Sequence, residues 1–264
     1  MFRTLLLSSA LFGCLIGCAP PHPDVTQGSG PTLVFESGLG DGAEVWRDLR
    51  ASLPSDVASF AWTRAGYGLG ADLLAGQPWQ SDLDGQRTGR EVADHLAQAL
   101  AEAGQHPPYV LVAHSLGASY ALAYAKAHPD QIAGIVLVDP RLPGFTAKCQ
   151  SEGLSHCRIP PLMFAMLSPT EQAEWRGMEE TEAALQDLSV LRNTPITILT
   201  ATKAGFAEDP RWRALWAQYA DDFATRFTRN RRVSVASGHY IQKEAVGIVD
   251  AEILQMLALA KPRD

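Results

Sequence analysis

Ser115 sits in the run Y-V-L-V-A-H-S-L-G-A, Tyr109 to Ala118, where an apolar β-rich stretch ends and an alanine-rich helical pattern begins. A serine hydroxyl is a weak nucleophile until a neighbouring base takes its proton. Acyl chemistry also needs N–H donors aimed at the carbonyl oxygen. A sharp strand-to-helix turn meets both needs, because it lifts the hydroxyl clear and points the next amide at the reacting group. Ala113 and Gly117, two residues to either side, are the small residues such a turn tolerates. The string alone reads equally well as an ordinary turn with a surface serine, so its partners decide the matter.

The base must be one of seven histidines. His22 lies in a proline-rich tether, His95 and His106 on or after a surface helix, His128 at a helix end and His156 in an insertion. His114 precedes the serine at a buried strand end and faces away from its neighbour's hydroxyl. His239, in S-G-H-Y at Ser237 to Tyr240, follows the last strand and precedes the last helix. A loop there can swing an imidazole over Ser115.

These residues need a scaffold that brings distant strand ends together. Short apolar runs alternate with helical patterns, which predicts an α/β domain with a mostly parallel sheet and crossover helices. Strands are expected at Thr32–Glu36, Val57–Trp62, Tyr109–Ala113, Ile135–Asp139, Ile196–Thr200 and Arg232–Ala236. Thr88 with Glu91 and Ser168 with Glu171 carry capping-box patterns, so helices start there. Residues 141–194 are too long for a one-helix crossover. They read as a helical cap insertion over the sheet's carboxyl edge, between core segments 31–140 and 195–264. A net charge of −7 argues against nucleic acid as a partner, and the basic run Arg226, Arg229, Arg231, Arg232 reads as a solvated edge.

Residues 1–18 combine one early positive charge, Arg3, with an apolar run too short to span a bilayer. The ending L-I-G-C resembles a bacterial lipobox, in which Cys18 is lipidated, with L-F-G-C at Cys14 a poorer fit. Residues 19–30 then serve as a tether. The expected location is the cell envelope, lipid-anchored and periplasm-facing, at the outer membrane. Of the mature cysteines, Cys149 and Cys157 lie in one loop-like stretch, and an oxidising compartment makes a disulfide the default.

Four motifs in order, E-S-G-L-G-D at Glu36, R-A-G-Y-G at Arg64, A-H-S-L-G-A at Ala113 and S-G-H-Y at Ser237, resemble the α/β-hydrolase fold family. The chain is similar to its capped, esterase-like members. The resemblance implies Ser115 as nucleophile, His239 as base and then acid, and an oxyanion hole from the backbone amides of Leu39 and Leu116. The acid stays open. In many family members it follows the strand after the cap, but the nearest carboxylates there, Glu208 and Asp209, come late, and Asp209 before Pro210 suits an N-cap. Asp139, ending an all-apolar run before Pro140, is favoured. The implied activity is hydrolysis of a carboxylic ester, or less readily an amide or lactone, with an apolar part and no metal or organic cofactor. The alternatives are C–C bond hydrolysis, haloperoxidation, lipase action or a non-catalytic binding lipoprotein of the same fold.

Overall fold

The computed structural model describes residues 23–67, 80–155, 157–205 and 209–260. The expected signal peptide with Cys14 and Cys18, and the alternative acid Glu208, lie outside them. Seven strands form one sheet: β1 (Asp24–Thr26), β2 (Ser29–Glu36), β3 (Val57–Ala61), β4 (Tyr109–His114), β5 (Ile132–Val138), β6 (Ile196–Ala201) and β7 (Asn230–Val235). Their order is β1-β3-β2-β4-β5-β6-β7, parallel throughout except where β1 meets β3. This is the mostly parallel sheet with crossover helices expected from the alternating pattern, in the α/β-hydrolase arrangement that the motif resemblance implies.

One expectation needs correction. Residues 24–26 fall within the expected tether, yet they pair with Ser59–Ala61. The sheet therefore begins at Asp24 rather than residue 31. A three-residue edge strand reading D-V-T shows no apolar run. Side chains hold it instead: Arg50 from the first helix bonds Asp24, Thr26 and Ser59.

The helices are α1 (Arg47–Ser52), α2 (Gly89–Glu102), α3 (Gly117–Ala127), α4 (Phe145–Ser151), α5 (Pro161–Ala165), α6 (Pro169–Arg176), α7 (Met178–Ala184), α8 (Pro210–Ala224), α9 (Ile241–Glu244) and α10 (Val246–Ala260). Strand alternation divides the core between the two sheet faces. Leu111 and Ala113 of β4 pack with α2, α3 and α8, while Val110 and Val112 pack with α1 and α10. Both expected capping boxes form, with Glu91 Oε2 accepting from Thr88 N at 2.7 Å and Glu171 Oε2 from Ser168 N at 2.8 Å. Each cap of this kind contributes about 1 kcal/mol. Helices α4 to α7 fill the segment between β5 and β6. Within it Cys149 and Cys157 form a disulfide, with Cα atoms 5.6 Å apart. Among the described residues no helix is long and apolar enough to cross a membrane.

Candidate active site

β4 and β5 run side by side, with His114 opposite Val138. The next residue on each strand, Ser115 and Asp139, turns into left-handed backbone, at φ 52° and 41°. Non-glycine residues pay roughly 1–2 kcal/mol for that conformation, and here two adjacent strand ends adopt it together. The bends are held by Ser115 N donating to Val138 O at 3.2 Å and Asp139 N to Leu199 O at 2.8 Å. Gly117 lets α3 start against the β2 end, because a Cβ there would lie 2.3 Å from the Ser37 carbonyl oxygen. The small residue after the serine is thus a contact requirement.

His239, in the loop after β7, reaches across both bends. Its Nε2 lies 2.9 Å from Ser115 Oγ and its Nδ1 2.6 Å from Asp139 Oδ2. The Asp139 carboxylate is fully buried and accepts three further groups: Ala201 N at 3.0 Å, Trp216 Nε1 at 3.1 Å and Arg213 Nη1 at 2.9 Å. Burial alone would raise its pKa, but the His239 hydrogen bond and the charges of His239 and Arg213 outweigh burial and hold it below the usual carboxylate value. Asp209 instead caps α8, accepting from Arg211 N at 2.8 Å. The helix it starts is the one that carries Arg213 and Trp216 to Asp139. Those two partners escape a linear reading, although their spacing of three residues after Pro210 places them on one helix face.

The two amides expected to receive an oxyanion are oriented by their own peptide planes. The Gly38 carbonyl accepts from Arg64 Nη2 at 2.7 Å. In a trans peptide the Leu39 N–H must then point the opposite way. Likewise the Ser115 carbonyl accepts from Arg141 N at 2.9 Å, which turns the Leu116 N–H outward. Neither N–H meets an acceptor among the described residues. Leu39, Ser115, Leu116 and His239 line one cavity of about 460 Å³. Met163 and Trp175 of the insertion and Trp212 and Trp216 of α8 supply much of its apolar wall.

The α4–α7 segment is tied to the sheet by a buried polar cluster that no sequence motif pairs. All five Arg64 donors are used: Nε and Nη2 on Glu174, Nη1 on Glu36 and Ser37 O, and Nη2 also on Gly38 O. Glu174 belongs to α6 and also receives Arg87 and the Tyr67 hydroxyl. Thr63 Oγ1 accepts from Ala43 N at 2.9 Å and so braces the same loop.

His114, rejected as the base, has a different position of consequence. Its Nε2 donates to the His239 backbone carbonyl at 3.0 Å, and its ring lies against those of His239 and Tyr240. Desolvation, reinforced by His239, lowers its pKa to about 3. An unfolded histidine titrates near 6.5. Between these values the unfolded chain binds the additional proton, so this contribution is present above about pH 6.5 and fades as pH falls towards 3. His114→Asn keeps a donor for the carbonyl without the titration. The stability of wild type relative to this variant should fall by up to about 1.4 kcal/mol per pH unit across that window. Denaturant melts at several pH values check it, and a flat difference would mean that His114 is not held neutral.

A model of the alpha/beta hydrolase family matches residues 33–252. Uncharacterized protein YqjL of Bacillus subtilis is 29% identical over 204 residues, which span 75% of this chain and 74% of YqjL. The 2-succinyl-6-hydroxy-2,4-cyclohexadiene-1-carboxylate synthase of Enterobacter sp. is 26% identical over 252 residues, 87% of this chain and 92% of the synthase. Among solved structures, a thermophilic esterase from Thermogutta terrifontis with malate bound has the same fold, with TM-score 0.67 at 18% identity. That match covers 91% of this chain and 93% of the esterase.

Proposed function

Because the chain belongs to the alpha/beta hydrolase family, we propose that it is a serine hydrolase cleaving carboxylic esters through an acyl-enzyme. The observation that carries this reading is the unbroken line from Ser115 Oγ through the His239 ring to Asp139, with spacings of 2.9 Å and 2.6 Å. His239 takes the serine proton as Ser115 attacks, and Asp139 holds the imidazole in the tautomer that can accept it. The Leu39 and Leu116 amides receive the negative charge on the carbonyl oxygen, each worth about 3 kcal/mol in the transition state. His239 then protonates the leaving alcohol, and water activated by the same ring releases the acid.

Reaction with a fluorophosphonate probe tests the activated serine. Wild type should be labelled and Ser115→Ala should not; a wild type that resists the probe sinks the proposal. The similarity to a synthase along nearly its whole length favours a second reading, non-hydrolytic chemistry on the same residues. Such an enzyme would take the probe yet leave a panel of p-nitrophenyl esters intact.

A further inference from the structure

The cavity before Ser115 is apolar on most sides, but three guanidinium groups, Arg141, Arg158 and Arg213, share its wall, and Arg213 is engaged by Asp139. Arg141 comes two residues after Asp139, and its Nη2 bonds Thr146 Oγ1 and Glu182, the latter at 2.9 Å. Its guanidinium carbon lies 4.6 Å from the centre of the Trp175 ring. Arg141 Nη1 meets no acceptor among the described residues, and Arg158 makes no hydrogen bond or ion pair with any of them. The backbone beside Arg158 is anchored, because Cys157 is joined to Cys149.

The charges do not balance. Glu182 offsets Arg141 and Asp139 offsets Arg213, which leaves Arg158 without an ion-pair partner among the described residues. The lining has one carboxylate among the described residues, Asp209, and it is already bonded to Arg211. Burial and the nearby Arg158 both make the Arg141 cation harder to keep. Two cations with spare donors, facing one partly desolvated cavity, are a site for an anion.

Resting on the ester-hydrolase reading, we infer that the substrate is a half-ester: its ester carbonyl meets Ser115 while a carboxylate at its far end is received by Arg158 and Arg141 Nη1. The apolar walls between the two sites take the connecting carbon chain. A cavity of about 460 Å³ has room for a short dicarboxylate monoester.

The matched pair to compare is the 4-nitrophenyl monoester of adipic acid and 4-nitrophenyl hexanoate, which differ by the terminal carboxylate. Wild type should favour the adipate monoester at least about tenfold in kcat/KM, as charge-assisted contacts allow. Arg158→Gln should erase that preference through the KM of the adipate monoester, and Arg158→Glu should reverse it. Arg158 is exposed, so these variants retain the fold. Equal turnover of both esters by wild type, or equal losses on both in Arg158→Gln, would overturn the inference while leaving the ester-hydrolase reading intact. Binding separates the two further. Ser115→Ala should bind monomethyl adipate in calorimetry, about tenfold more weakly when Arg158→Gln is added. That result would stand even if wild type hydrolysed neither ester, whereas no detectable binding at millimolar ligand would sink the inference.

Discussion

Asp139→Asn should lower ester turnover by on the order of 10⁴-fold, with fold and substrate affinity retained. The size follows from tautomer control in serine–histidine–aspartate sites, where the amide replacement leaves the geometry intact but stabilises the wrong imidazole tautomer. In this chain the argument is sharper because Asp139 is enclosed by donors. Ala201 N, Trp216 Nε1 and Arg213 Nη1 all donate to it, and His239 Nδ1 must do the same. An asparagine can satisfy the first three with its oxygen, but its NH₂ would then face Arg213 or His239. Facing His239, it forces Nδ1 to accept, puts the ring proton on Nε2 and leaves Ser115 without a base.

Asp209→Asn supplies the contrast. Asparagine is as good an N-cap as aspartate, so α8 should still start at Pro210 and deliver Arg213 and Trp216 unchanged. Activity should stay within a fewfold of wild type. Steady-state kinetics on a p-nitrophenyl ester, with circular dichroism to confirm folding, distinguishes the two variants. If Asp209→Asn is the inactive one and Asp139→Asn is not, the acid has been assigned to the wrong carboxylate.

Asp139 was legible for a physical reason: a charged residue ending an otherwise apolar parallel strand must be held by partners or it would not be tolerated there. Ser115 and His239 were legible because strand ends and the loops after them converge on one edge of a parallel sheet. The partners of Asp139 were not, since Arg213 and Trp216 sit in a helix whose pattern is accounted for by packing alone. His114 shows a subtler limit. Its alternation on β4 excludes it as base, but only the packed structure brings that face against the carbonyl of His239. β1 escaped because three residues at a sheet edge leave no periodicity to read. Most distant of all is the pairing of Arg64 with Glu174, separated by 110 positions; each is an ordinary charged residue until the insertion folds down.

That pairing leads to the second large effect. Arg64→Met should destabilise the protein by about 3–5 kcal/mol, the usual cost of stranding a buried charge. Arg64, Glu36 and Glu174 are all almost completely buried, at 1%, 1% and 0% exposure. Without the guanidinium, Glu36 keeps the Trp62 indole as its donor among the described residues, and burial, which already raises its pKa, is no longer opposed by the Arg64 cation. Glu174 keeps Arg87 and Tyr67 but must share Arg87 with Asp82. The Ser37 carbonyl loses the Arg64 donor at the same time, and the Gly38 carbonyl is left with the longer bond from Asp41 N at 3.3 Å, so the Gly38–Leu39 peptide is held less firmly and the Leu39 N–H drifts from the oxyanion position. Urea melts should therefore show a lowered midpoint, and fluorophosphonate labelling of the protein that remains folded should slow. Arg64→Lys should fall between, because an ammonium restores the charge but not five donors in a plane. The decisive comparison is a double-mutant cycle. Adding Glu174→Gln to Arg64→Met removes one of the stranded charges, so the combined loss should be smaller than the sum of the two single losses. Strict additivity would mean that the two side chains do not act as a pair and that α6 is held to the core by packing alone.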